Sequence, residues 1–418
     1  MLHIKRNIPD DVIRDIFGHF SSKLVTDGSS SFPWHLGHIC GEWRAIFLSM
    51  NVEFWGDIVV FRHQPLSRQD YERILNIVEF FLQRGHDVPF SLQLYDTEDK
   101  IYVDRVLDMF LEHSTRWKKA KFALDVSKYP ALARVKNCLP RLQHLELFIN
   151  PIHRLPDFIA DTFVDAPSLT SIKADCMTKW EFNWSKLTTF RLSWGLTFVD
   201  RIDTLCRMTN LEDLCIGYFE LPASSPPQIT LPRLRTLETY GSSLLRLLKA
   251  PELEKLAITF VHAGKALGPS SDLVASFLRR SSCTLRHLEI SRCKAITIIE
   301  ILPYTPHITH LQINFAENLV DVLQWLTISA QATEFQERCL PVRHLQLLEV
   351  CLYVWISGVA EALYDLVASR IIPGPNEGVE RPRAVHIYAL DSPTKFQRIQ
   401  QLCDERNVFF RLRKDYLL

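Results

Sequence analysis

His35 and His38 stand three apart, a spacing that on a helix would set two imidazoles on one face, as a metal site requires. No acid or cysteine stands at ligand spacing beside them, so no metal is expected. Ten cysteines are scattered from Cys40 to Cys403 without the C-x-x-C spacing that zinc sites and redox centres use. Without an export signal they read as reduced thiols, mostly buried as small apolar residues. Asp10 and Asp11 are adjacent and point different ways, so they form no acid–base dyad. There is no G-x-x-x-x-G-K-[ST] phosphate loop, G-x-S-x-G elbow, H-E-x-x-H pair or dinucleotide fingerprint. The expectation is a non-enzyme with no metal and no cofactor.

What remains is the chemistry of surfaces. In residues 8–20 Pro9 stands at a helix start, where its missing N–H costs nothing, and Asp10 and Asp11 suit the positive end of the helix dipole. Val12, Ile13, Ile16, Phe17 and Phe20 then recur at helical spacing. A polar stretch, 21–31, reads as a loop, and a second helical pattern opens near Pro33 with Leu36, Ile39, Cys40, Trp43, Phe47 and Leu48 along one face. The phrase Glu53-Phe54-Trp55-Gly56-Asp57 leads into a strand-like run, 58–61. So short a segment has little room for a closed core. Its apolar surface either packs on the rest of the chain or awaits a partner.

This segment resembles an F-box, in the version found in fungal F-box proteins. The opening Ile8-Pro9-Asp10-Asp11-Val12 is similar to the family's Leu-Pro-acidic start. The stretch Pro33-x-x-Leu36-Gly37-x-Ile39-Cys40-x-x-Trp43-Arg44, followed by Phe54-Trp55, is similar to its P-x-x-L-G-x-V-C-x-x-W-R core and terminal Leu-Trp. Ile8 replaces the usual Leu, and Gly41-Glu42 stands where a basic pair is common. The resemblance implies a Skp1-like adaptor bound by these helices, and through it a cullin–RING ubiquitin ligase. The adaptor contacts it implies are Ile8, Pro9, Val12, Ile13, Ile16, Phe17, Leu36, Ile39, Cys40, Trp43, Arg44, Phe47 and Trp55.

Beyond the hook the chain keeps a helix–strand rhythm. Ser67 is placed to cap a helix that runs to Gly85, residues 90–95 alternate as a strand, a helix covers about 101–113, and a strand follows at 121–124. Leu142-x-x-Leu145-x-Leu147-x-x-Asn150 then satisfies the leucine-rich-repeat signature, and Leu285-x-x-Leu288-x-Ile290-x-x-Cys293 does so with Cys last. Shorter forms complete a series whose first positions fall at 142, 169, 187, 211, 234, 253, 285, 308 and 342, the last being Val342/Leu345/Leu347. Six are preceded by a proline: Pro140, Pro167, Pro232, Pro251, Pro306 and Pro341. L-x-x-L-x-L also occurs in amphipathic helices, but a single copy there would not recur behind proline. The series predicts strands stacked in a parallel sheet, each repeat completing its neighbour's core.

The fold class expected is α/β: an N-terminal helical F-box, residues 4–60, followed by an irregular leucine-rich-repeat solenoid, 61–418, with a parallel concave sheet. Within the solenoid a helix–strand lead-in covers 61–140, the main repeats 141–350, and the last repeats and cap 351–418, closing with strands at 384–388 and 408–412 around a helix at about 395–404. Between the buried positions, His144, Glu146, Lys173, Arg191, Asp213, Glu238, His287, Glu289, His310, Gln312 and His344 should project from the sheet. They read either as a surface for a target protein or as the solvated face of a sheet. Four histidines in the row would let binding change below about pH 6.5.

Composition sets the limits. Of 418 residues 47% are hydrophobic, and 48 Lys and Arg balance 48 Asp and Glu, so neither nucleic acid nor an anionic membrane is an expected partner. With no signal peptide and no run of about 18 apolar residues, the protein is expected in the cytoplasm, the nucleus or both.

Overall fold

The computed structural model describes residues 8–20, 23–26, 34–50, 52–60, 68–95, 100–149, 161–175, 180–193, 202–218, 228–260, 270–314, 317–327, 344–352, 358–371, 382–389 and 396–413. The chain divides into two compact units, Met1–Leu192 and Ser193–Leu418. Each is α/β with a parallel sheet.

Unit 1 opens with helix α1 (Asp10–Gly18), for which Pro9, in an extended conformation, is the N-cap. Strand β1 (Lys23–Val25), helix α2 (Gly41–Leu48) and strand β2 (Asp57–Val60) follow. Next come helix α3 (Arg68–Arg84), β3 (Phe90–Tyr95), helix α4 (Lys100–Glu112), β4 (Trp117–Leu124), β5 (His144–Ile149), β6 (Ser171–Ala174) and β7 (Thr189–Leu192). The seven strands pair in chain order, every pair parallel. Alternation dictates the burial: Leu24, Ile58, Leu92, Ala120, Leu145, Ile172 and Phe190 face one another across the ladder and are buried.

Two expectations change here. Residues 23–25, read as loop, form a strand because Leu24 is buried in register with Ile58. The second hook helix is broken: Trp34–His38 is a 3-10 turn, and Cys40 is extended and caps α2, its Sγ accepting the Trp43 backbone N–H at 3.5 Å. The turn is pinned by Arg44, whose Nε donates to the Gly37 carbonyl at 2.9 Å. A Cβ on Gly37 would approach the Phe47 ring to 3.2 Å, so glycine lets the turn lie on that ring.

Residue 60, the expected domain boundary, falls inside unit 1, where β2 pairs with β3. Side chains bind the hook there too. Trp55 lies 5.4–6.3 Å from the rings of Trp34, Phe47, Phe54, Phe80 and Phe81, so helix α3 completes the hook's core. Buried Arg116 donates to the Leu82 and Val88 carbonyls, and a Cβ on Gly85 would meet its guanidinium at 2.5 Å.

Unit 2 contains β8 (Asp213–Ile216), β9 (Ile229–Thr230), β10 (Thr236–Tyr240), β11 (Leu248–Lys249), β12 (Lys255–Thr259), helix α5 (Ser270–Ser281), β13 (His287–Ser291), helix α6 (Ala295–Ile301) and β14 (His310–Asn314). Helix α7 (Leu319–Leu326), β15 (Leu347–Leu352), helix α8 (Val359–Ile371), β16 (Ala384–Ala389), helix α9 (Gln397–Glu405) and β17 (Phe409–Arg413) complete it. β9 and β11 form a separate parallel pair. The others align in the order β8-β10-β12-β13-β14-β15-β16-β17, all parallel.

The leucine series keeps one register from 142 to 187 within unit 1 and from 211 to 308 within unit 2, and slips at its last member. His310 pairs with Leu347, so Leu345, Leu348 and Val350 are the buried set, in place of Val342, Leu345 and Leu347. Leucines at both 345 and 348 make the motif readable in two phases three residues apart, and packing selects the later one. Residue 342 lies outside the described residues, as do Ser67, the loop at 374–378 and Cys176 and Cys339. Among the described cysteines all are free thiols, and Cys215, Cys293 and Cys403 are buried. No helix among the described residues is long and apolar enough to cross a membrane.

Candidate functional site

The hook sorts its apolar residues into two faces. Ile13 and Phe17, four apart on α1, are buried against α2, with Phe17 edge-on to Trp43 at 5.5 Å and to Phe47 at 5.8 Å. Leu36, Phe47 and Trp55 are buried as well. These five of the expected adaptor contacts are therefore core residues, because the hook seals its inner stripe with its own rings and those of α3. Cys40 is a helix cap and Arg44 braces the 3-10 turn, so both have structural work already.

The outer face stays open. Ile8 is 40% exposed, Val12 43% and Ile39 57%, and Phe20, absent from the expected contacts, is 39% exposed. Val12 and Ile16 lie on α1, whereas Ile8 precedes its cap Pro9 and Phe20 follows its last turn; Pro9 is exposed, and Ile16 and Trp43 are half-buried. Helical spacing alone could not separate these residues from Ile13 and Phe17, since one stripe covers both rows.

Unit 1 has a second surface, the open face of its sheet. A groove of about 410 Å³ is lined there by five cationic side chains and two carboxylates. One ladder row reads Lys121, Glu146, Lys173, Arg191 across β4 to β7, and Lys119 aligns with His144 in the next. Of the expected target-facing residues, His144, Glu146, Lys173 and Arg191 are brought together here. Lys121 Nζ is 3.4 Å from Glu146 Oε2 and lies over the rings of Tyr95 (5.4 Å) and Phe148 (4.9 Å), while Lys173 Nζ covers the Phe148 ring from 5.6 Å. Burial lowers the His144 pKa, and Lys119 and Lys118 lower it further against Glu146. For Lys121 the Tyr95 hydroxyl and Glu146 more than offset the burial that pulls its pKa down.

No protein-family model matches the chain, and no curated protein matches it.

Unit 2 carries the remaining expected residues, all but His344 on two rows. His287 and His310 are register partners in a stack 5.6 Å apart with Lys255 alongside, and a shallow groove they share with Lys255, His307 and His344 measures about 730 Å³. His344 is in the turn before β15 rather than on the strand, a consequence of the slipped register. Asp213 opens the same row as His287, three strands along. Glu238, Glu289 and Gln312 share the second row with Glu349 and His386, whose Nδ1 is 2.7 Å from Glu349 Oε1. Glu289 accepts from Asn314 Nδ2 at 3.0 Å, and burial raises its pKa.

Burial, with Lys255 and His310, pushes the His287 pKa down to about 4. Two of the four expected histidine switches, His144 and His287, thus require a lower pH to charge than an exposed imidazole does. Among the described residues no group of three or more His, Cys, Asp or Glu is arranged to hold a metal ion. Lys119 and Glu349 escape the sequence reading because the predicted strand begins at 121 and the last repeat is phased three residues early; His386 lies in the predicted strand 384–388, and only the register shows it beside Glu349. The i, i+2 spacing of Lys119 and Lys121 was the signal for the first.

Proposed function

We propose that this protein is a substrate receptor of an SCF-type ubiquitin ligase, with an F-box hook that binds a Skp1-like adaptor and leucine-rich repeats that present a target. One observation carries the adaptor half. After the hook has completed its own core, four apolar side chains remain exposed: Val12 on α1, Ile8 and Phe20 just beyond its ends, and Ile39 ahead of the cap of α2. Exposed apolar side chains on and around a short helix are what a partner's apolar groove would cover, and they fall within the segment that resembles an F-box. The repeats support the second half: parallel strands whose intervening positions form a polar face suit protein recognition without chemistry.

The test is a pull-down of a purified Skp1-like adaptor by the full chain. Wild type is expected to retain the adaptor, and Val12→Asp with Ile39→Asp to lose it while remaining folded. Absence of adaptor on wild type would sink the reading. Deleting residues 1–60 would not be a fair test, since β1, β2 and Trp55 belong to the sheet and core of unit 1.

A second reading has an observation of its own. Ile13, Phe17, Phe47 and Trp55 are all buried within the lone chain. On this reading the hook merely closes the edge of the repeats, and the protein is an interaction scaffold with no ligase role. It predicts that the same pull-down is empty.

A further inference from the structure

We propose that the open face of the sheet in unit 1 binds a peptide segment bearing acidic side chains at alternate positions. The inference deepens the substrate-receptor reading, on which it rests for calling that peptide a target; the binding itself can be tested apart.

Charge is the first observation. The groove holds five cations and only two carboxylates, Asp57 and Glu146. Glu146 is engaged by Lys121 at 3.4 Å. Among the described residues neither Lys119 nor Lys173 is within ion-pair distance of a carboxylate, and both are exposed. Positive charge is thus left uncompensated in a recess, where low-dielectric walls strengthen its field.

Spacing is the second. Lys119 and Lys121 are two apart on β4 and lie on the same face, about 6.7 Å from each other along the strand. Alternate side chains of an extended peptide repeat at that distance, so Glu or Asp at i and i+2 of a segment parallel to β4 would meet both. Lys173 and Arg191 sit on adjacent strands in the row of Lys121, about 4.8 Å apart, and extend the cationic surface sideways. Ser91, Gln93, Ser171 and Thr189 supply donors and acceptors between them for a peptide backbone.

The same geometry disfavours nucleic acid. Single strands are held by stacking bases on open aromatic faces. Here Lys121 lies over the Tyr95 and Phe148 rings and Lys173 over Phe148, so the rings carry cations instead of offering bases a platform. Glu146 in the middle of the row would oppose a continuous phosphate chain, yet it can accept a peptide N–H.

The experiment uses the full chain and a short fluorescent peptide of alternating Glu and Ser, read by anisotropy in low salt, with a short oligothymidylate in parallel. Wild type should bind the peptide more tightly than the oligothymidylate. Lys119→Glu with Lys173→Glu should weaken the peptide by about tenfold or more, as loss of two charge-assisted contacts implies. The neutral pair Lys119→Gln and Lys173→Gln should fall between, and Arg105→Glu, on a surface helix, should match wild type. Both lysines are exposed, so these variants should unfold with the wild-type midpoint. No peptide binding by wild type, binding indifferent to the lysine pair, or tighter oligothymidylate would each overturn the proposal. Adaptor pull-down by the same variants separates the two ideas. If adaptor is retained while peptide is never bound, the groove assignment alone fails; if peptide is bound while wild type captures no adaptor, the receptor reading alone fails.

Discussion

The hook and the groove of unit 1 are both open surfaces, and they are open in opposite ways. On the hook the polar side chains such as Arg44 brace the backbone, and Ile8, Val12, Phe20 and Ile39 are the large apolar residues left exposed. In the groove the apolar residues are buried beneath the sheet or covered by lysine ammonium groups, and what faces outward is charge. An apolar row is an attachment that persists at any ionic strength, whereas a cationic groove gives contacts that salt, sequence or modification of the ligand can tune. On the proposed reading, a receptor that stays on its ligase while exchanging targets would use one surface of each kind.

The comparison breaks first at the support both surfaces share. Trp55→Ala empties the centre of the aromatic cluster between hook and α3 and should cost about 3–5 kcal/mol in urea unfolding. A loss under about 1 kcal/mol would mean that the hook is not anchored as described. Next in size is the separation of the hook's two faces. Phe17→Ala should destabilise by about 3 kcal/mol or more, whereas Val12→Asp should leave stability within about 0.5 kcal/mol. Equal costs for the two would erase the distinction between inner and outer rows.

Salt sharpens the contrast with a smaller effect. Raising the salt severalfold should weaken the acidic peptide by about tenfold while adaptor affinity stays within about threefold. Similar slopes for both ligands would contradict the account. The smallest effect is local: Lys119→Gln should raise the pKa of His144, followed by its ring proton resonances, because Lys119 helps to hold it down. An unchanged titration would show that Lys119 has no part in setting it.

His287 offers a parallel check in unit 2. Its folded pKa, near 4, is below the ordinary 6.5, so the unfolded chain binds the extra proton first and stability is lost as pH falls from 6.5 toward 4. The ring is only partly buried, and screening by solvent leaves about 1 kcal/mol of that for His287→Gln to remove.

The repeats were the legible part of this chain. Period-2 burial within a period of roughly two dozen residues is a strong signal, because each strand must bury the same two or three positions. It failed where the motif was degenerate, at Leu345 and Leu348, and where a strand was too short to announce itself, at Leu24. The hook was half legible. Its helices could be read, but which apolar row faces inward depends on Trp55 and α3, contacts made across sequence. Charge was the least legible. Equal totals of acids and bases hid Lys119, Lys121, Lys173 and Arg191 on one face and Glu238, Glu289 and Glu349 in one row of unit 2, since only register shows which charges are neighbours.

Calorimetric titration of the full chain with a purified Skp1-like adaptor, repeated over a range of temperatures, tests the receptor reading most directly. The account predicts saturable binding with a negative heat-capacity change, the mark of apolar burial, abolished by Val12→Asp with Ile39→Asp and kept by Lys119→Glu with Lys173→Glu. No heat of binding with wild type, or undiminished binding by the Val12→Asp, Ile39→Asp variant, would contradict it.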